Sequence, residues 1–273
     1  MSKENNIMVR WLSRILRLGS FMVAALLITQ PSVADTVLIT GANAGLGLEL
    51  ARQYAADGWT VIATHRHDST PESLAALSKQ YRNVRPERMD VTSVAEIRAL
   101  SEKLKDVPVD VLINNAAISS DRGDWSTQKF GKLDYALGET ILQTNILGPL
   151  FVAEGFAQQI GASKQKKIVS ITSTHASLTK PIAGTGAIYY RASKAGLNRA
   201  MLAVSDEVRP QGITVVVIHP GSIRKSDQEP TTSVHGVRTD IDVVAKKMRK
   251  TIEGLSIQDS GHFLQFDGAA LPW

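Results

Sequence analysis

The stretch Val37–Gly47, VLITGANAGLG, decides how this chain folds. Its first four residues are apolar or β-branched and predict a short buried strand. Glycines follow at positions 41, 45 and 47, and the next residues, LGLELARQYAADG, predict a helix. Glycines let the backbone approach a pyrophosphate closely, and the free N–H groups of a helix's first turn attract the anion. A glycine turn with a purely structural role is the competing interpretation.

Strand and helix patterns alternate through the rest of the chain from residue 35 onward. Six further strands are predicted at 60–66, 84–89, 109–115, 166–172, 213–220 and 260–268, and five further helices at 71–81, 93–104, 133–160, 189–208 and 240–255. Strands separated by helices pair in parallel through right-handed crossovers. The sequence therefore predicts one α/β domain over residues 35–273, a Rossmann-type doubly wound fold with a seven-stranded parallel sheet and helices on both faces.

Composition excludes several classes of function. Apolar residues make up 43% of the 273, which suffices for a large core. The absence of cysteine rules out disulfides and thiolate sites, and the six histidines show no metal-ligand spacing. The net charge of +5 falls to +2 once the four basic residues and one acid of the first 34 are removed. We therefore expect no metal and no nucleic-acid partner.

Residues 1–34 are predicted to be a leader outside the fold. A basic region from Lys3 to Arg17 precedes the apolar run Leu18–Ile28, and small residues follow at Ser32 and Ala34. This is the pattern of a signal peptide cleaved after Ala34, although an amphipathic membrane-surface helix or a buried helix would also fit. The leader favours export or membrane association, whereas a soluble nucleotide bound at the glycine loop would favour the cytoplasm, so localisation stays open.

The end of the second predicted strand bears on cofactor choice. It reads Thr64-His65-Arg66, about twenty residues beyond the glycine loop. An acid at this place binds the ribose 2′-hydroxyl of NAD, and an arginine accommodates the 2′-phosphate of NADP. Between the start of this strand at residue 60 and Asp68, the sequence contains no acidic residue. Arg66 therefore favours NADP over NAD, with an ordinary surface arginine as the alternative.

Tyr190 and Lys194 are candidates for acid–base chemistry. Positions i and i+4 share a helix face, so the phenol and the ammonium point the same way. A neighbouring cation favours phenolate and makes a tyrosine a usable general acid/base near neutral pH. Tyr189 lies off that face and is assigned to packing or substrate contact. Taken alone, the pair could equally be a structural aromatic–lysine contact.

In combination these motifs resemble the short-chain dehydrogenase/reductase family across essentially all of 35–273. The similarity rests on TGANAGLG at 40–47, DVT at 90–92, NNAA at 114–117, Asn145, IVSITS at 168–173, YRASK at 190–194 and HPG at 219–221. YYRASKAGLN and the ending FDGAALPW are most similar to the C-factor-like carbonyl reductase subgroup.

The resemblance implies roles for individual residues. Tyr190 would protonate a carbonyl oxygen or deprotonate an alcohol, and Ser173 would hydrogen-bond that oxygen. Lys194 would lower the pKa of Tyr190 and bind the nicotinamide ribose, while Asn145 would hold a water that links Lys194 to solvent. The remaining cofactor contacts would come from Gly41, Gly45, Leu46 and Gly47 at the pyrophosphate, Asp90 and Val91 at the adenine, Asn115 and Ala116 at the adenosine ribose, and Pro220, Gly221 and Ile223 at the nicotinamide.

The sequence departs from the family pattern at three places near the implied cofactor and substrate sites. Ala117 stands where a glycine is usual, and SIRKS at 222–226 lacks the usual threonine. The long gap between Ser173 and Tyr190 implies an insertion at 177–186, and residues 222–239 are predicted to form a lid over the substrate.

The function predicted from the sequence is an NADP-preferring oxidoreductase of a small carbonyl or alcohol, with NAD as a possible cofactor. A non-catalytic nucleotide-binding or signalling protein on the same fold is the alternative, since some members of the C-factor group are linked to cell–cell signalling. A membrane-associated reductase of lipid-like substrates is a third hypothesis. Surplus apolar residues on the two longest predicted helices indicate a homodimer or homotetramer.

Overall fold

The computed structural model describes residues 34–120, 124–179, 184–224, 232–233 and 236–273. The strands of its main sheet are β1 Thr36–Ile39, β2 Thr60–His65, β3 Val84–Arg88, β4 Val111–Asn114, β5 Lys167–Ile171, β6 Thr214–His219 and β7 Phe263–Gln265. The α-helices of the described residues are α1 Gly45–Ala56, α2 Glu72–Gln80, α3 Val94–Lys103, α4 Tyr135–Leu142, α5 Gly148–Gly155, α6 Ala157–Gly161, α7 Ile188–Val208 and α8 Ile241–Gly254.

The main sheet has the strand order β7-β6-β5-β4-β1-β2-β3, and all of its neighbouring strands are parallel. The seven-stranded parallel sheet predicted from the sequence is therefore confirmed. The chain runs outward from β1 to β3 and then returns to place β4 on the other side of β1. Such a reversal leaves a crevice at the carboxyl ends of β1 and β4, where ligands bind in folds of this kind.

Alternate residues of the strands feed two apolar layers, one on each face of the sheet. Val37 and Ile39 of β1 belong to the layer that includes Leu50 of α1 and Met248 of α8. Leu38 points to the opposite layer, with Val152 of α5 and Leu197 of α7 among its members. Burial on both faces explains why the strands read as continuous apolar runs rather than as alternating ones.

The two edges of the sheet are protected in different ways. Pro86 lies in β3, which is an edge strand, so its missing N–H interrupts no interior ladder. At the other edge the C-terminal segment folds back over β7: Leu271 donates to the carbonyl of Phe263 at 2.8 Å, and Gln265 donates to that of Ala269 at 2.7 Å. This segment satisfies backbone groups that a bare edge would expose.

The single helix predicted over 133–160 is wrong. The structure has α4, a π-helical turn at Gln143–Leu147, then α5 and the short α6. Pro149 explains part of this, because it has no N–H for the carbonyl of Asn145 four residues earlier. The π turn accommodates the missing bond and places Asn145 at the point where the helical pattern changes.

Several predicted features lie wholly or partly outside the described residues. Residues 1–33 of the predicted leader (1–34) do, as do residues 180–183 of the predicted insertion and residues 225–231 and 234–235 of the predicted lid. Two short strand pairs are described near the lid, Ile223–Arg224 with Thr239–Asp240 and Thr232–Ser233 with Gly236–Val237. Within the described ranges, no helix combines the length and apolarity needed to cross a membrane.

Candidate active site

The loops that follow β1 and β4 are joined by hydrogen bonds at the crevice. The hydroxyl of Thr40 accepts from the backbone N–H groups of Asn115 and Ala116, both at 3.0 Å. In return, the amide nitrogen of Asn115 donates to the carbonyl oxygens of Thr40 at 2.9 Å and Gly41 at 3.1 Å. The side chain of Asn115 therefore shapes the glycine loop from the neighbouring strand.

Two of the loop glycines are required by this close packing. A Cβ at Gly47 would lie 2.4 Å from the amide nitrogen of Asn115 and 2.7 Å from the carbonyl oxygen of Gly41. Gly41 has a left-handed φ of 62°, and a Cβ there would lie 3.0 Å from the Cα of Ala116. Both positions exclude side chains and let the backbone form a narrow cradle.

The N-terminus of α1 opens into this cradle with free donors. Ala44 precedes the helix in extended conformation, no side chain caps it, and its first turn contains no acidic residue. The adjoining cleft has a volume of about 370 Å³. Its lining includes seven of the predicted cofactor residues, namely Gly41, Gly45, Arg66, Asp90, Val91, Asn115 and Ala116. A glycine cradle, free helix donors and a cleft of this size fit a dinucleotide.

Positive charge dominates the end of β2. Arg66 lines the cleft between His65 and His67. His65 is buried, and that burial lowers the pKa of its imidazole. Asp68, the first acid after the strand, pairs with Arg88 at 3.4 Å. The cationic side chain at this rim of the cleft is thus Arg66, as the sequence predicts for a 2′-phosphate.

Ser173 and Tyr190 meet in a second cavity of about 470 Å³ on the other side of β4. The Ser173 hydroxyl lies close enough to the phenol of Tyr190 to lower the pKa of the phenol, against the larger raising effect of burial. Ser173 follows β5 and also accepts a hydrogen bond from the backbone of His175 at 3.2 Å. Tyr190 belongs to the first turn of α7. The structure therefore brings together the serine and the tyrosine that the sequence selected.

Lys194 lies beneath Tyr190, buried on the same face of α7. Its ammonium donates to the carbonyl oxygen of Ile171 at 2.8 Å and lies 5.9 Å from the centre of the Tyr190 ring. Burial lowers the pKa of Lys194 to about 8. The ammonium is held by backbone on one side and faces the phenol on the other.

In the protein chain alone, burial raises the pKa of the Tyr190 phenol, and the interaction with Ser173 offsets this only in part. Burial by itself therefore favours the protonated phenol. The predicted lowering of this pKa by Lys194 together with an oxidised nicotinamide concerns the complex and stays a prediction.

The side-chain amide of Asn145 makes three hydrogen bonds with other protein groups. Its oxygen accepts from the N–H of Ile118 at 2.8 Å, and its nitrogen donates to the carbonyl of Ile118 at 2.8 Å and to Ser193 at 3.0 Å. The predicted water would therefore bind the backbone carbonyl, which Pro149 leaves without its helical donor. The role of Asn145 in a water chain stays a prediction.

The other predicted residues divide between lining and support. Gly221 lines the second cavity and has a left-handed φ of 75°, and Pro220 precedes it at the end of β6. Leu46 and Ile223 are partly buried and pack against the apolar core. Asn114 links β4 to β5 by donating to Ser170 at 3.2 Å.

The sequence offered Trp125 as a possible apolar wall of the substrate pocket but did not single out His175 or Gln128. His175 and Trp125 both place their rings edge-on to Tyr190, with centroids 5.9 and 5.8 Å away. Gln128 is completely buried and accepts from the backbone N–H of Tyr190 at 3.0 Å. These residues carry no motif, because they meet Tyr190 only through the tertiary fold. Tyr189 packs against Gly138 of α4, as predicted.

A family comparison agrees with this geometry. The family model described as short chain dehydrogenase matches residues 35–234. The chain belongs to this family. The resemblance inferred from the motifs is thereby confirmed, and so is the fold that it implied.

Individual relatives are of several kinds. C-signal of Myxococcus xanthus is 33% identical over 177 residues, which cover 65% of this chain and all of that protein. An uncharacterised oxidoreductase of Schizosaccharomyces pombe is 30% identical over 251 residues, covering 86% of this chain and 96% of the relative. The crystal structure of NADPH-bound carbonyl reductase from chicken fatty liver has a TM-score of 0.78 at 28% identity, covering 88% and 99%. The chain is therefore an oxidoreductase of the short-chain type, with a nicotinamide cofactor.

Proposed function

We propose that this protein is an NADP-preferring carbonyl reductase in which Tyr190 is the general acid. The observation that carries the proposal is that Ser173 and Tyr190 line one cavity next to the dinucleotide cleft, with the buried ammonium of Lys194 lying 5.9 Å from the Tyr190 ring. Burying an ammonium and a phenol costs stability, so the arrangement is best explained by chemistry.

The cleft residues fit a nicotinamide dinucleotide. Gly41, Gly45 and Gly47 would face the pyrophosphate, and Arg66 the 2′-phosphate of NADP. When bound, this cofactor supplies the hydride of the reaction. The preference for NADP is supported by the charge at the end of β2 and by the NADPH that the chicken carbonyl reductase binds. NAD is the alternative cofactor, and titration of the protein with NADPH and with NADH distinguishes the two.

The protein's own residues handle the proton. A raised pKa keeps the phenol of Tyr190 protonated at neutral pH, the form that donates to a carbonyl oxygen. Ser173 would hydrogen-bond the same oxygen and hold it against the phenol. Lys194 would then stabilise the phenolate left after transfer, because its ammonium is 5.9 Å from the ring.

A turnover screen tests the proposal. Purified protein is supplied with NADPH and a panel of aldehydes, ketones and quinones, and the loss of nicotinamide absorbance is followed. We expect turnover with at least one class of carbonyl compound, faster with NADPH than with NADH. The same panel includes medium-chain ketones, which would identify a lipid-like substrate. Absence of turnover over the whole panel would contradict the proposal.

A signalling role is the second candidate, because C-signal is among the relatives. Signalling through the protein surface requires the fold, but it does not require the buried ammonium of Lys194. Complementation of a strain that lacks the gene distinguishes the two functions. Tyr190→Phe should restore the phenotype if the role is signalling, and it should fail to restore the phenotype if the role is catalysis.

Assembly through α4, α5 and α7 is proposed from exposed apolar side chains. Leu142, Leu147 and Ile188 are 38%, 43% and 37% exposed on this side of the molecule. A homodimer or homotetramer would cover them. Light scattering at micromolar concentration should give a multiple of the monomer mass, and Leu147→Glu should reduce it; a monomer for the unaltered protein would refute the assembly.

The leader is proposed to direct export or membrane association and to be dispensable for folding. A chain beginning at Asp35 should bind NADPH with the same affinity as the full chain. Cell fractionation followed by N-terminal sequencing locates the native protein. A cytosolic protein with its first residue intact would refute the targeting role, and a start at Asp35 would establish cleavage.

A further inference from the structure

The first turn of α7 begins without any cap of its own. Ala187 precedes the helix with a φ of 55°, the left-handed region that a residue with a Cβ adopts at a cost, and no side chain of its own segment caps the helix. The first N–H groups of a helix have no intrahelical acceptor and need one from elsewhere. This turn is the one that presents Tyr190, so a loose start would displace the phenol.

Gln128 supplies the missing acceptor from a distant part of the chain. Its side-chain oxygen accepts from the N–H of Tyr190 at 3.0 Å, the place where an ordinary N-cap side chain bonds. Its nitrogen donates to the carbonyl of Ser119 at 2.8 Å, on the loop that follows β4. The side chain is completely buried. One amide therefore bridges the catalytic helix and the loop at the mouth of the cavity.

The segment around Gln128 packs against the same turn at two further points. The Trp125 ring lies edge-on to the Tyr190 ring at 5.8 Å. Gly186 has a φ of 82°, and a Cβ there would lie 3.1 Å from the side chain of Lys129. The Ser126–Gln128 turn is thus fitted closely to the start of α7.

We propose that Gln128 is a positioning residue that holds Tyr190 in place by capping α7 from outside the helix. The inference rests on the proposed function, because its catalytic consequence requires Tyr190 to be the acid. Gln128 does not touch the reacting atoms. It fixes the backbone that carries the phenol, and a displacement of about 1 Å in such a group can lower turnover by up to a hundredfold.

The test compares Gln128→Met, Gln128→Glu and a matched control, Gln159→Met. Gln159 is also a buried glutamine, and it lies in α6, which carries no residue of the candidate active site. Its side-chain nitrogen donates to the carbonyl oxygen of Ser101 at 2.8 Å and to the Ser101 hydroxyl at 3.0 Å. Methionine keeps the length of the side chain and removes its hydrogen bonds. Glutamate keeps the acceptor for Tyr190 and loses the donor to Ser119.

Hydrogen exchange of individual amides reads the cap directly. In Gln128→Met the amide of Tyr190 should exchange at least tenfold faster, while that of Arg191, which donates to Ala187 at 2.8 Å, changes less. Gln128→Glu should retain protection at Tyr190. An unchanged Tyr190 amide in Gln128→Met would overturn the proposal. The exchange experiment does not depend on activity. If the protein turned over no carbonyl compound, the proposed function would fail, but the exchange rate of the Tyr190 amide would still test whether Gln128 caps α7.

Kinetics read the consequence. Gln128→Met should lower kcat about tenfold or more, with the affinity for NADPH within twofold of the original, and Gln128→Glu should recover part of the loss. Gln159→Met should keep the kcat of the unaltered protein even if its Tm falls as far as that of Gln128→Met. Equal losses of kcat in the two methionine variants at equal Tm would show a general effect of destabilisation and overturn the positioning role.

Discussion

The two binding regions of this molecule are built in different ways. The cofactor region consists of the loops after β1, β2 and β4, and its parts are backbone groups and short motifs. Asn115 donates hydrogen bonds to the carbonyl oxygens of Thr40 and Gly41, and Gly47 packs against the Asn115 amide group. The catalytic region comprises the loops after β5 and β6 and the start of α7, and it depends on side chains that arrive from far along the chain. Trp125 and Gln128 reach Tyr190 across more than sixty positions.

This difference teaches where sequence reasoning succeeds. A pyrophosphate is recognised by backbone N–H groups, so the local pattern of glycines carries the site. A small substrate is recognised by the walls of a cavity, and walls are made by whichever side chains the fold brings together. The second region is therefore expected to respond to distant substitutions at positions that carry no motif.

Tyr190→Phe is the strongest test of the catalytic region. The variant loses the proton donor while its ring stays between Trp125 and His175. Turnover should fall by at least the ~10²–10⁴ typical of general acid/base loss, with NADPH affinity and Tm nearly unchanged. Tyr189→Phe, on the neighbouring residue, is the control. If Tyr189→Phe lost activity while Tyr190→Phe kept it, the assignment of the helix face would be wrong.

Lys194→Met tests what the catalytic region costs in stability. The pKa of Lys194 is about 8 in the folded protein and about 10.5 when unfolded. Between these pH values the unfolded chain binds more protons, so the unaltered protein should gain stability as pH rises. The difference amounts to roughly 3 kcal/mol.

Urea unfolding at pH 7 and pH 10 measures this effect. The free energy of unfolding of the unaltered protein should rise relative to that of Lys194→Met over this interval, by most of the expected amount. The variant itself should be inactive. A constant difference between the two proteins at both pH values would show that the ammonium is not desolvated by the fold.

Gly47→Ala probes the cofactor region. Its methyl group would overlap the amide of Asn115 and the carbonyl of Gly41, so the loop must shift. We expect a loss of about 1–3 kcal/mol in stability, as for other overpacked sites, together with weaker NADPH binding. Gly161→Ala is the matched control, because a Cβ there meets nothing within 4 Å. Equal behaviour of the two variants by thermal melting and NADPH titration would contradict the cradle.

Arg66→Gln should have the smallest effect and the most selective one. Removing one charge-assisted contact to the 2′-phosphate should weaken NADPH binding by about tenfold and leave NADH binding unchanged. Titration by nicotinamide fluorescence measures both affinities. Arg82→Gln, which changes an exposed arginine outside the cleft, should alter neither. Equal weakening of NADPH and NADH in Arg66→Gln would remove the basis for the predicted preference.

The sequence by itself determined the alternation of strands and helices, the parallel sheet and the choice of Ser173, Tyr190 and Lys194. The strands, the helices and the Tyr190–Lys194 pair follow from apolar runs, glycine spacing and i,i+4 periodicity, which are properties of short segments. Ser173 was selected through the family resemblance. It also placed Arg66 at the cleft, because strand ends in a parallel sheet share one edge.

Only the tertiary structure decided the state of those residues. The raised pKa of Tyr190 results from burial by groups distant in sequence, and no local pattern measures burial. The π turn at Asn145 and the cap from Gln128 likewise depend on partners at Ile118 and Ser119, which the fold brings close. Local sequence fixes which groups are available, and long-range packing fixes their solvation and their hydrogen bonds, because both depend on neighbours that the chain meets only when folded.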